Sequence, residues 1–90
     1  MSAFRDNAKA HQYELDAPEG MSFAEYRDVG GVRVIMHVET PVEARGRGYA
    51  SKLMAEVVAA SRAGGPKLRA SCAFAVAYFR RHPDTADVQA

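Results

Sequence analysis

Midway along the chain the apolar period changes from that of a strand to that of a helix, with a glycine turn at the junction. VRVIMHVET (32–40) alternates: Val32, Val34, Met36 and Val38 fall on one face, and Arg33, Ile35, His37 and Glu39 on the other. The first face is expected to be buried and the second to carry polar chemistry. From Tyr49 onward, Ala50, Leu53, Met54, Val57, Val58 and Ser61 recur at helical spacing, with Lys52, Glu56 and Arg62 elsewhere on the wheel. This predicts an amphipathic helix of about 15 residues, roughly 22 Å long, stopped by Gly64, Gly65 and Pro66. KLRAS (67–71) then reads as a strand, so the helix crosses between two neighbouring strands that should run parallel.

The flanks complete a small α/β (α+β) fold. HQYEL (11–15) and SFAEYRDV (22–29) read as a hairpin about the turn DAPEGM, and CAFAVAYFRRH (72–82) reads as a second, C-terminal helix ended by Pro83. The tail PDTADVQA is polar and expected to be loosely held. At 90 residues the chain is expected to form one domain over 1–90, a small mixed sheet with a thin core, since folding at this size hides only about 60–65% of the unfolded surface.

Twelve basic against eleven acidic residues leave a net charge of +1, which supplies no global field for nucleic acid or an anionic membrane, so any anion site must be local. The lone Cys72 rules out an internal disulfide, and MSAFRDNAKAHQ has no apolar stretch of a secretion signal, so a cytoplasmic location is expected. The longest apolar run, AFAVAYF, falls far short of the roughly 20 residues of a membrane span. His82 has no second ligand at metal spacing, so no metal site is expected.

The turn between strand and helix, EARGRGYA, is the candidate for that local anion site. The amides of Arg45 to Ala50 have no partner inside the helix and point, with the positive end of its dipole, toward one place. Gly46 and Gly48 let a ligand approach without a Cβ in the way, and Arg45, Arg47 or Lys52 can add charge at the rim. A diphosphate suits it. The wide spacing of a Walker loop and the third glycine of a dinucleotide fold are both absent. The competing structural explanation is a plain β-to-α turn with solvated arginines.

The run EARGRGYASKL resembles the acetyl-CoA pyrophosphate motif of the GNAT acetyltransferase superfamily, (Q/R)-x-x-G-x-(G/A), with Gly46 and Gly48 in the glycine places and Glu43 departing from the Gln or Arg. HVETP, RGRG and CAFAVAYFRRHP together resemble the small single-domain members of that superfamily over about residues 11 to 85. The resemblance implies a truncated GNAT fold, lacking the first strand and the paired helices with which larger relatives hold the acceptor. It also implies that acetyl-CoA is the cosubstrate, bound through Arg45, Gly46, Arg47, Gly48, Tyr49 and Ala50, with Tyr78 reaching the pantetheine. The activity implied is transfer of an acetyl group to an amine of unstated identity. The alternative is a module that holds CoA without turnover, which only a turnover assay separates from the enzyme.

Three residues are candidates for the chemistry. Cys72, at a helix start, can carry the acetyl group or merely border the CoA sulfur; a small buried apolar role is the plain alternative. His37 and Glu39 share a strand face just ahead of the turn and can relay a proton from the amine, directly or through water; a satisfied strand histidine beside a solvated glutamate is the plain alternative. Aligning Cys72 and Ala75 with the superfamily's N-x-x-A segment puts Phe79, not Tyr78, in the place of its thiolate-protonating tyrosine, and packing is the alternative reading of Phe74, Tyr78 and Phe79.

Overall fold

The computed structural model describes residues 3–90. Five strands form one sheet in sequence order: β1 (Phe4–Asn7), β2 (Gln12–Ala17), β3 (Gly20–Val29), β4 (Val32–Glu39) and β5 (Lys67–Ala70). All neighbours are antiparallel except β4 and β5, which the crossover helix makes parallel. That helix, α1 (Tyr49–Arg62), lies against β2 and β3, and α2 (Ala73–Arg81) lies against β4 and β5. Among the described residues no helix is long and apolar enough to cross a membrane.

The wheel of α1 is realised as expected: Leu53, Met54, Val57, Val58 and Ser61 are its buried residues. The four apolar ones join Tyr13, Leu15, Ala24, Tyr26, Ile35 and Leu68 from the sheet, and Ala75, Tyr78, Phe79 and Val88, in one apolar cluster. Ser61 is satisfied by donating to the Pro66 carbonyl at 2.8 Å. The opposite sheet face carries Glu25, Arg27, His37 and Glu39, all exposed.

The two-face assignment of β4 needs correction. Glu25 stands opposite His37 and Tyr26 opposite Ile35, so Met36 has no partner on β3 and forms a β-bulge. An extra residue reverses the facing of everything before it. Ile35, alternation's polar-face residue, is therefore fully buried beside Tyr26, and Met36 is exposed. Arg33 turns inward with Ile35; its guanidinium lies 3.9 Å from the Tyr26 ring centroid and donates to Asp28 and to the Tyr13 hydroxyl.

Other boundaries shift for local reasons. The hairpin turn is only Pro18 and Glu19, because Asp16 and Met21, read as turn, still pair across the strands. The resemblance implied no strand ahead of the hairpin, yet β1 pairs with β2, held by Arg5 to Glu14 and Asp16, each at 2.7 Å. Phe4 stacks on Tyr13 against the core and the charge pairs hold the rest, so one apolar residue in four leaves no periodic signal to mark the strand. The tail is not loose: Pro83–Val88 forms a 3-10 helix that buries Thr85 and Val88, Arg62 pairs with Asp87 at 2.9 Å, and the Ala90 amide donates to the Leu68 carbonyl. Cys72 caps α2 rather than lying inside it.

Candidate active site

After β4 the chain passes Thr40 and Pro41, makes a 3-10 turn over Val42–Ala44, and reaches α1 through Arg45, Gly46, Arg47 and Gly48. Gly46 and Gly48 both have left-handed backbones, with φ of 81° and 79°. A Cβ at either would find no heavy atom within 4 Å, so both face open space. The Arg45 amide, read as part of the converging set, instead donates to the Val42 carbonyl at 3.3 Å and closes the 3-10 turn; the amides from Gly46 to Ser51 have no acceptor among the described residues, and the first helical bond here is from the Lys52 amide to the Gly48 carbonyl. They border a cavity of ≈ 210 Å³ lined by Arg45, Gly46, Gly48, Tyr49 and Ala50, and by Phe74 of α2.

The same turn is tied to β4 and to the hairpin. Arg45 donates to the Thr40 carbonyl at 3.3 Å and lies 3.8 Å from Glu39. Arg47 leaves the cavity lining and pairs with Glu19 at 3.2 Å. Glu19 also accepts from the Tyr49 hydroxyl at 3.1 Å, and this bond, with partial burial and the nearby carboxylate charge, holds the Tyr49 phenol above its ordinary ionisation range. Glu19 is invisible to sequence reasoning because only the tertiary fold carries the hairpin tip to the turn.

Beyond Ile35 and Ala70 the parallel strands part. The Ile35 carbonyl accepts from the amides of Ser71 (2.9 Å) and Cys72 (3.3 Å), and the chain then turns away into α2. The edge of β4 over residues 36–39 thus has no strand beside it on that flank. His37 and Glu39 stand on this stretch, Nε2 and Oε2 2.6 Å apart and both well exposed. Cys72 lies where the strands separate, its Sγ accepting from the Ala75 amide at 3.4 Å and its side chain half-buried against the core. No hydrogen bond or ion pair joins Cys72 to His37 or Glu39. Tyr78 stands apart from the cavity: it is buried, stacked on His82 with ring centroids 4.0 Å apart.

A strand, a glycine turn with free amides at a helix start, and a parted parallel pair beside it form one continuous arrangement. The GCN5-related N-acetyl-transferase family matches residues 12–88. The chain belongs to this family. It is thus an acetyltransferase of the GNAT type, and its fold agrees with that of a GCN5-like protein from Staphylococcus aureus whose solution structure was determined by NMR. The two share 24% identity and a TM-score of 0.68 over 100% of this chain and 91% of the other. No curated protein matches the acetyltransferase at a significant level.

Proposed function

We propose that this acetyltransferase takes acetyl-CoA as donor and an amine as acceptor, with the donor's diphosphate on the amides of Gly46 to Ser51. The observation that carries the proposal is that run of amides without acceptors, gathered at a helix start over an open cavity. The unpaired edge of β4 offers backbone donors and acceptors to the amide-bearing arm of the cosubstrate, and leads its thioester toward Cys72. Tyr78, buried on His82, is left out of the site.

An amine must be uncharged to attack a thioester. For a lysine side chain this costs about 4.6 kcal/mol at pH 7, and for an α-amino group about 1.1 kcal/mol. With His37 and Glu39 open to solvent beside the gap, the site offers a proton relay but little desolvation, which favours amines of low pKa.

Arg47→Ala should weaken CoA only about two- to fivefold at low salt and less at high salt, since an exposed arginine already paired with Glu19 contributes a modest, screened interaction. Titration calorimetry at two ionic strengths checks this. Cys72→Ala should still bind CoA and keep transfer with a reduction of about tenfold, or 1.4 kcal/mol of barrier. A thioester-to-thioester exchange gains little driving force, so direct attack is favoured over an acetylated Cys72. Brief exposure to acetyl-CoA followed by intact-protein mass spectrometry tests this choice: an adduct on Cys72 that an added amine discharges at the turnover rate reverses it.

Mass spectrometry of acetyl-CoA incubated with the protein and a pool of amines and peptides tests the function itself. Acetylated amine with stoichiometric CoA release is expected. Tight CoA binding without product would instead make the chain a CoA-holding module.

A further inference from the structure

The rim of the glycine turn already holds an anion from elsewhere in the chain. Glu19, at the tip of the β2–β3 hairpin, places Oε2 3.2 Å from Arg47 Nη1 and accepts through Oε1 from the Tyr49 hydroxyl at 3.1 Å. Its side chain is 22% exposed against 60% for Arg47, so the carboxylate is the enclosed partner of the pair. The hairpin tip is pinned where it stands. Gly20 has a φ of 134° and packs so closely that a Cβ there would come within 2.9 Å of the Pro41 ring, and Ser22 Oγ donates to Thr40 Oγ1 at 3.3 Å. The backbone at the tip is therefore fixed beside the 40–41 segment, and the Glu19 carboxylate is held at the rim by Arg47 and Tyr49.

We propose that Glu19 is a positioning residue of the CoA site: an internal anion that fixes Arg47 and Tyr49 at the rim and, by its charge, weakens binding of the cosubstrate's diphosphate. The proposal rests on the diphosphate lying over the turn. A carboxylate at this place neutralises the nearest arginine and repels the incoming phosphates, which lowers affinity for donor and CoA product alike and speeds product departure. The free amides supply the attraction and Glu19 limits it.

Glu19→Gln keeps the shape and an acceptor oxygen for Tyr49 while removing the charge. By calorimetry, CoA affinity of the full chain should rise about two- to fivefold at low ionic strength, the size of an exposed charge interaction. The gain should shrink at high salt, which a purely structural contact would not produce, and should persist in part when Arg47→Ala is added, because the carboxylate's direct repulsion of the diphosphate does not pass through Arg47. A second readout needs no ligand: Tyr49 should ionise at lower pH in Glu19→Gln, with Tyr49→Phe identifying its absorbance. Unchanged or weaker CoA binding in Glu19→Gln would reduce Glu19 to a scaffold contact, and an unmoved Tyr49 ionisation would show that the contact is absent in solution. Either result overturns the proposal. Failure of the turn itself is seen separately, as CoA affinity that survives Gly48→Val.

Discussion

Replacing Gly48 by valine should leave a folded protein whose affinity for CoA is about 100-fold lower, a loss of about 2.7 kcal/mol. The residue has a φ of 79°, a region that costs an ordinary side chain roughly 1–2 kcal/mol and a β-branched one more. Nothing in the protein lies within 4 Å of the added Cβ, so the side chain meets open space rather than a packed neighbour. Either the turn relaxes and its amides lose their common direction, or it holds and the isopropyl group stands where the diphosphate must approach. Both remove the ligand without removing the core. Calorimetry with CoA, beside a thermal melt showing that the variant folds, separates lost binding from lost folding.

Leu53→Ala should have the largest effect on stability, a loss of about 2–5 kcal/mol from the methylenes removed and the cavity left behind. Leu53 is fully buried in α1 within the cluster that joins that helix to the sheet. A chain of this size has roughly 5–13 kcal/mol in total, so the melting temperature should fall by roughly 10–30 °C. Val42→Ala is the matching control: Val42 is 70% exposed, and its loss should change stability by less than about 0.5 kcal/mol. A small effect at Leu53 would mean that α1 is not docked as described.

The parts of the fold written in local periodicity were legible. The α1 wheel, the parallel crossover from β4 to β5 and the glycine turn all follow from spacing within a few residues. What escaped depended on partners distant in sequence. The bulge at Met36 shows only when β3 is laid beside β4, and without it Ile35 and Arg33 are assigned to the wrong face. Strand β1 and the tail have weak apolar patterns and are secured by Arg5 with Glu14 and Asp16, and by Arg62 with Asp87. At the site, the residues from Arg45 to Ala50 gather as the turn chemistry requires, with Arg47 turned aside by Glu19. Of the two readings of Tyr78, packing and a reach to the pantetheine implied by resemblance, the packing one matches its burial, because α2 has to cover β4 and β5.

Titration of the ¹⁵N-labelled chain with CoA, followed amide by amide, tests the central claim most directly. Diphosphate bound at the turn should move the resonances of Gly46 through Ser51 first and farthest, with smaller shifts along residues 36–39 of β4 and at Cys72. If those amides stay fixed while the shifts gather elsewhere, for example around Arg69 and Arg80 at the outer side of β5 and α2, the site described here is wrong.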